Sequence, residues 1–388
     1  MADNKDKRPT VAPCLVQDTL RSITGRSLAM LRTELGILIG WGRRFPNLVS
    51  LSATQQSPLD NPLVHQCHGL VLDMSDQWNI IARPTDWFPN LNTDEKPLLT
   101  NWGDLLVQER LDGIRYNLYY YRGEWHVGTL DSPDGNTPVL LGPAYQTHAD
   151  LFWEQWLAHG YELPSVSRWG DWCFSWELLH PAKRNIVIHK EPVLRLIGMR
   201  CRNGMELDFN KLHWGETYGY WLTAHEYRFK DFDHLISTFV EMDPVKNAGY
   251  VLVDPTWRDG EAGFRRLGVN HPGFDRLAKI RGKMTIQRAL DLIRKDEVGD
   301  LLHHFPEWKV SFDLVAHKYA ETVAGLLAGW EELHALDDVE FNRKAVGYRM
   351  NSVLFEKRRD PNKDITEMLR NYPAHTLLWG LRLRDADI

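Results

Sequence analysis

Two kinds of hydrophobic spacing divide the chain. From about residue 63 to 275, short runs rich in β-branched and aromatic residues alternate with turns rich in Gly, Pro, Asp and Asn, which predicts β-strands. The predicted strands are HGLVLDM, WNIIARP, IRYNLYYYRGEWHVGTL, WCFSWELL, NIVIH, VLRLIGM and GYVLVD. The third of these contains a predicted hairpin with Arg122-Gly123 at its tip. Two helices are predicted between strands, over ADLFWEQWLAHG and FDHLISTFVEM.

The strand signals stop near residue 276, and helical spacing takes over. A stripe with steps of three or four residues predicts one long helix; it comprises Phe312, Val315, Tyr319, Val323, Leu326, Trp330 and Leu333. The segment LRSITGRSLAMLRTELGILIGWG, near the N-terminus, also has helical spacing. The pattern therefore predicts an α+β fold with antiparallel sheets followed by an all-α domain. We divide the chain into a disordered N-terminus over 1–13, an α+β domain over 14–275 and a helical domain over 276–388.

Composition narrows the classes of protein. The chain has 388 residues, of which 43% are hydrophobic and 25% charged, as in ordinary globular proteins. No apolar run reaches membrane-spanning length, and the N-terminus MADNKDKRPTVAP is too polar for a secretory signal, so we expect a cytoplasmic protein without a membrane partner. Four scattered cysteines indicate a reducing compartment and no zinc site. The net charge of −6 argues against non-specific coating of nucleic acid, although a local basic groove is compatible with it.

Sixteen tryptophans are unusual for this length. Large aromatic side chains bury well and fit a pleated sheet, so most of them are expected in the core or on a sheet face. Some of them are candidates for stacking on nucleic-acid bases.

The candidate chemistry lies in VQERLDGIRYNLYYYRGEWHVGT, residues 107–129. An Asp-Gly pair alone is a weak signal, because any hairpin uses it. The order of several segments is more specific: QCHGLVLD, WNIIARPTDWFPNLN, ERLDG, HVGTLDSPDG, CFSWELLHPAKRNIVI, GYVLVD and LGVNHPGF, followed by a helical tail with LLHHFPEW and NSVLFEKRR. In this order and content the chain resembles, over nearly its whole length, the ATP-dependent RNA ligase family typified by the phage tRNA-repair ligase.

The resemblance implies a nucleotidyltransferase fold of the ligase type with a C-terminal helical domain. It implies ATP and Mg²⁺ as cofactors wherever the pocket still binds a nucleotide, and RNA as a partner. The positions that match the family's nucleotide-binding motifs are His68, Arg110, Asp112, Gly113, Glu177 and Arg184. Asp112 and Glu177 are the expected metal ligands, if a metal is held at all.

The departures from the family pattern are as informative as the match. The family attaches AMP to a lysine that stands two residues before Asp-Gly, and here that position is Arg110. Arginine cannot be deprotonated in a protein, so it can hold a phosphate but cannot attack one. Further polar family positions are occupied here by Leu130, Ala248, Gly268 and Asn270, and the arginine of the first motif is His68. These losses predict a degenerate ligase with no catalytic residues.

Each retained residue also has a purely structural interpretation. Asp112 can simply begin a turn, and Arg184 can be a solvated surface cation. His68 can be an ordinary strand histidine. Glu177 lies in a strand expected to be buried, where a carboxylate needs partners, and it is the best candidate for a surviving pocket group. Four cations lie near the expected cleft, either for ligand binding or for solubility: Arg115, Lys246, Arg265 and Arg266.

Two classes of function remain open at this stage. The first is a binding module for RNA ends, a nucleotide or a partner protein, such as an intact ligase or a nuclease. The second is an active RNA ligase or other nucleotidyl- or phosphoryl-transfer enzyme. It would use a relocated lysine such as Lys246, or a non-covalent mechanism with Asp112 and Glu177 as metal ligands.

Overall fold

A computed structural model describes residues 13–22, 27–54, 56–91, 102–141, 144–207, 220–255, 263–282 and 284–383. The predicted disorder over 1–13 lies, apart from Pro13, outside the described residues. The chain forms two compact units, Met1–Asp275 and Arg276–Ile388. Within the described ranges, no helix combines the length and apolarity needed to cross a membrane.

The first unit begins with three helices and a four-stranded antiparallel sheet. The helices are α1 (Leu15–Ser22), α2 (Ser27–Glu34) and α3 (Pro62–Gln66). The first sheet has the strand order β1-β2-β3-β4, with β1 (Leu38–Trp41), β2 (Leu48–Ser52), β3 (His68–Asp73) and β4 (Asn79–Ala82). Apolar side chains of α1, β2 and β3 form one core cluster, which includes Val16, Leu20, Leu51 and Leu70. The helices therefore cover this sheet.

Two further four-stranded antiparallel sheets complete the main frame. The second sheet has the order β11-β10-β6-β7, with β6 (Ile114–Tyr121), β7 (Glu124–Gly128), β10 (Trp172–Leu179) and β11 (Val193–Cys201). The third has the order β12-β5-β13-β14, with β5 (Leu106–Glu109), β12 (Glu226–Tyr227), β13 (Gly249–Asp254) and β14 (Arg265–Asn270). A separate pair is formed by β8 (Pro138–Leu141) and β9 (Ala144–Thr147).

The second and third sheets each bury one face in an apolar cluster. The helix α4 (His148–Ala158) packs Phe152 and Trp156 against Tyr116 and Trp176 of the second sheet. The short helix α5 (Val166–Trp169) and the helix α6 (Phe232–Ser237) follow, and Phe232 and Leu235 of α6 pack against the third sheet. Because side chains alternate across a strand, the opposite faces of both sheets remain for other contacts.

In the described residues of the second unit, all regular secondary structure is helical. Its helices are α8 (Ile286–Lys295), α9 (Val298–His304), α10 (Lys309–Leu333), α11 (Asp338–Ala345), α12 (Asn351–Arg359), α13 (Ile365–Arg370) and α14 (Ala374–Leu381). Before them, α7 (Pro272–Arg281) contains the unit boundary. The long helix predicted from the apolar stripe is confirmed as α10, in which Phe312, Val315, Leu326 and Leu333 are buried. The predicted α+β class, with antiparallel sheets and a helical C-terminal part, is confirmed.

Two local predictions were wrong. The N-terminal helical pattern stops at Glu34, and LIGW forms β1 instead, paired in register with β2 from Leu38↔Ser52 to Trp41↔Val49. The predicted strand NIVIH is an irregular segment, because the amides of Ile186 and Val187 donate to the Asp112 carboxylate and not to a neighbouring strand. The pairing partner of a segment is a tertiary property, and periodicity alone does not contain it.

Candidate functional site

A cavity of about 230 Å³ is lined by residues of the second and third sheets. The second sheet contributes Arg115, Glu177 and Ile197, and the third contributes Gln108 and Val251, among others. These residues alternate along their strands with the core residues on the opposite faces. The remaining lining residues are His68, Trp87, Phe88, Glu109, Arg110, Leu111, Leu130, Ala224 and Arg266. Four predicted site positions, His68, Arg110, Leu130 and Glu177, are therefore brought together here.

Arg110 follows β5 and is anchored at both ends. Its main-chain amide donates to the Gly249 carbonyl at 3.0 Å, and its Nη1 donates to Asn90 Oδ1 at 2.8 Å. Burial lowers the pKa of Arg110 from its ordinary value, while the Glu177, Asp275 and Asp112 carboxylates oppose that shift. An arginine begins from such a high pKa that it remains charged at neutral pH.

The guanidinium of Arg110 occupies space that Gly268 leaves open. A Cβ built on Gly268 would lie 2.1 Å from Arg110 Nη1 and 2.4 Å from Asn90 Oδ1. The segment carrying Asn90 is fixed on the same glycine, since Leu91 donates to the Gly268 carbonyl at 2.7 Å and Gly268 donates to the Pro89 carbonyl at 2.9 Å. A side chain at 268 would displace the Arg110 guanidinium or the Asn90 amide from its present position.

Glu177, Arg115 and His68 form a polar group inside the cavity. Glu177 and Arg115 are direct cross-strand partners on β10 and β6, a register that favours opposite charges. Burial raises the pKa of Glu177, and Arg115 together with the Gly113 amide, 2.8 Å from Glu177 Oε1, opposes the rise. Arg115 Nη1 lies 3.2 Å from both His68 Nδ1 and Thr85 Oγ1. Burial, and then Arg115, lowers the pKa of His68 to about 3, so its imidazole is neutral at pH 7.

The Asp112-Gly113 pair is a connection between sheets. It joins β5 of the third sheet to β6 of the second, so it is not the tip of a hairpin. The Asp112 carboxylate accepts the amides of Ile186 and Val187 at 2.7 and 2.8 Å. Gly113 is required by close packing, because a Cβ there would lie 2.4 Å from the Leu178 carbonyl oxygen. Neither residue is among the described residues lining the cavity.

Other candidate residues lie outside this cavity. Arg184 Nε donates to the Ile186 carbonyl at 3.0 Å. Lys246 is exposed and pairs with Asp243 at 3.0 Å, in the turn before β13. Asn270 is buried and donates to Asp275 Oδ1 at 2.6 Å, and Ala248 is fully buried. Arg265 lines a neighbouring cavity.

Arg266 belongs to the cavity and to a buried ion pair. Its Nη2 donates to Glu206 Oε1, and both side chains are almost completely buried. Glu206 Oε2 also accepts the Phe264 amide at 2.7 Å, which fixes the beginning of β14. Among the described residues that line the cavity there are three arginines, and none of the residues is a lysine.

The side chains present fit a phosphate-bearing ligand better than a metal held by protein. Within the described ranges, no three His, Cys, Asp or Glu side chains are grouped as metal ligands. Both expected ligands, Asp112 and Glu177, accept main-chain amides through their carboxylates. Arginines next to Trp87 and Phe88 offer charged donors and aromatic surface, the combination that binds phosphate and base.

Sequence reasoning missed Asn90 and Glu109. Asn90 holds Arg110 from a connecting segment; it lies in the motif segment WNIIARPTDWFPNLN, but this contact was not predicted. Glu109 pairs with Arg195 at 3.8 Å, a contact between strands of different sheets. The sequence ERLDG shows that Glu109 stands next to Arg110, but it does not show that Glu109 pairs with Arg195.

Comparison with known proteins places this site in context. No family model matches the chain. A curated RNA ligase of Rhodothermus phage RM378 is 29% identical over an alignment of 163 residues, covering 34% of this chain and 36% of that protein. The match thus spans about a third of the relative's length.

Solved ligase structures are also similar at low identity. An archaeal ATP-dependent RNA ligase (form 2) has 12% identity and a TM-score of 0.43, covering 68% of this chain and 64% of its own. A putative ATP-dependent DNA ligase from Aquifex aeolicus has 11% identity and a TM-score of 0.42, covering 65% and 63%. The sequence similarity to the phage enzyme supports the resemblance read from the motifs, and the chain is RNA-ligase-like.

Proposed function

We propose that this RNA-ligase-like protein binds a nucleotide or a phosphorylated RNA end in the cavity, and that it does not attach AMP to itself. The observation that carries the proposal is the placement of Arg110. A guanidinium held by Asn90 and packed against Gly268 is charged, and its nitrogen lone pairs are delocalised, so it stabilises a phosphate without attacking it.

The alternative of a relocated lysine has no support in the geometry. Lys246 is directed to solvent and paired with Asp243, and it lines neither of the two cavities described in this unit. Phosphoryl transfer depends on positive charge placed around the reacting phosphorus. Leu130 and Gly268 supply none, and Asn270 makes an internal hydrogen bond instead.

The absence of self-adenylylation is tested with α-labelled ATP and Mg²⁺. We expect no AMP adduct on the wild type, by denaturing gel and intact mass, and none on Arg110→Lys, because the other family cations are still missing. An adduct on the wild type would overturn the proposal. An adduct on Arg110→Lys alone would show that the other losses matter little, and would leave Arg110 as the single disabling change.

Ligand binding is tested separately by calorimetric titration with AMP and with a 5′-phosphorylated oligoribonucleotide. Arg110→Gln removes the charge and keeps a side-chain N–H donor, and we expect it to weaken binding about tenfold or more, because hydrogen bonds to charged groups contribute about 1.5–3 kcal/mol. Lys246→Gln is the matched control, since it removes one exposed positive charge outside the cavity. If both ligands fail to bind the wild type, the binding function is wrong.

A further inference from the structure

A second cavity, of about 360 Å³, adjoins the first. The two cavities share Trp87, Phe88 and Arg266 as lining residues. The second is otherwise lined by the beginning of α1, by α3 and by the residues around the start of β14. Its lining also includes residues 86–89 of the segment WNIIARPTDWFPNLN.

The shared aromatic wall is rigidly held. The Trp87 and His65 rings lie 5.5 Å apart at an interplanar angle of 35°, and the Trp87 amide donates to the His65 carbonyl at 2.8 Å. His65 Nε2 contacts the Leu59 carbonyl at 2.5 Å, which fixes the plane of the imidazole. A preorganised aromatic surface loses little conformational entropy when a flat ligand stacks on it.

The start of β14 supplies a second aromatic group and positive charge. Phe264 lines only the second cavity, and the Arg266 guanidinium lies 5.8 Å from the centre of its ring. Gly263 has a φ of +97°, and a Cβ there would lie 2.5 Å from Glu206 Oε2, so the backbone before Phe264 is closely packed. The main chain at Phe264 is thus held by Glu206, which also pairs with Arg266.

Charge in the second cavity is mixed. The Asp86 carboxylate is paired with Arg200, Nη1 to Oδ1 at 2.6 Å, and remains about 30% exposed. Arg265 and Arg266 are the cationic lining residues. Aromatic rings interleaved with arginines and one hydrogen-bond acceptor match a nucleobase and its phosphate.

We propose that the second cavity binds the base of the nucleotide that follows the one in the first cavity, so that the protein holds a 5′-phosphorylated RNA end over two nucleotides. This rests on the proposed function of the first cavity. The phosphate between the two nucleotides lies at the shared wall beside Arg266. A guanidinium has five N–H donors, so its pairing with Glu206 leaves donors for a phosphate oxygen.

The cavity sizes fit this reading. Pockets that enclose small-molecule ligands usually measure about 300–1,000 Å³, so the first cavity alone is small, and the two together are within that range. A dinucleotide carries one base for each cavity.

The test compares three probes by calorimetric titration of the full chain: AMP, the dinucleotide pApA, and a pA dinucleotide whose second sugar is abasic. The abasic probe has both phosphates and lacks only the second base. We expect pApA to bind about tenfold more tightly than the abasic probe, as stacking of one base gives. Phe264→Ala should remove that difference and leave AMP affinity unchanged.

Two further variants keep the result interpretable. Phe264→Leu preserves apolar volume without an aromatic plane. It should also lose the affinity difference between pApA and the abasic probe, and it takes the place of Phe264→Ala if that variant folds poorly. Trp379→Ala removes an aromatic residue of the second unit that is 83% exposed, and should change nothing. Equal affinity of pApA and the abasic probe for the wild type, with AMP still bound, overturns the second site alone. Failure of all three probes to bind overturns the proposed function as well.

Discussion

Arg110 and Gly268 form a contact in which each residue depends on the other. The guanidinium stands where any side chain at 268 would begin, with Nη1 2.1 Å from the position of a Cβ. The Arg110 guanidinium therefore fills the space that a side chain at 268 would need.

This dependence predicts a measurable coupling. We expect Gly268→Ala alone to destabilise the protein by about 1–3 kcal/mol, because the added methyl displaces Arg110 or Asn90. In an Arg110→Ala background the same change should cost much less, giving a coupling of about 1 kcal/mol or more in a double-mutant cycle measured by urea unfolding. Gly325→Ala, with open space around its Cβ in α10, is the matched control. Additive effects would contradict the proposed contact.

At the scale of elements, the sequence predicts the helices and strands whose hydrophobic periodicity is contained in their own residues. The hairpin is confirmed, with β6 and β7 joined at Arg122 and Gly123, whose φ angles of +49° and +91° make the tight turn. The stripe of α10 is confirmed for the same reason, since its period is contained in its own residues. The strand predicted over residues 185–189 does not form, because the amides of Ile186 and Val187 donate to Asp112, more than seventy residues earlier.

The same limit applied to the cavity. Glu177 was predicted as a pocket group because a carboxylate in a buried strand needs partners, and it does line the cavity. Asn90 and the second cavity were not predicted, because both depend on which loop lies beside β14. Contacts between distant segments cannot be read from spacing in a single sequence.

Asp112 gives a prediction at this scale, since one carboxylate holds an irregular segment in place. Asp112→Ala leaves the buried Ile186 and Val187 amides without their acceptor, and we expect a loss of about 2–3 kcal/mol. Asp112→Asn keeps one carbonyl oxygen and should lose about half of that. Urea unfolding gives the totals, and hydrogen exchange should show faster exchange at Ile186 and Val187 in the alanine variant. Unchanged exchange at these two amides would contradict an anchoring role.

At the scale of the whole molecule, an acidic chain carries a cavity lined by three arginines and two glutamates, Glu109 and Glu177. The net charge is −6, yet Arg110, Arg115 and Arg266 converge on one space. Local fields of this kind attract anionic ligands without a basic surface overall. The described residues that line the cavity all belong to the unit Met1–Asp275, so the cavity lies within the first unit.

The two compact units therefore predict two unfolding transitions in calorimetry, only one of which responds to ligand. AMP at a hundred times its dissociation constant should stabilise the first unit by about 2.7 kcal/mol and raise its transition by a few degrees. Phe341→Ala truncates a buried residue of the second unit. It should destabilise that unit by about 3–5 kcal/mol and lower only the transition temperature of that unit.

The matched change in the first unit is Phe152→Ala, at an equally buried position against the second sheet. It should lower the transition that AMP raises, and leave the other unchanged. A single transition that moves with AMP, Phe152→Ala and Phe341→Ala alike would mean that the two units unfold as one cooperative body. In that case a ligand in the cavity would stabilise the helical unit as well, because unfolding either unit would also require unfolding the other.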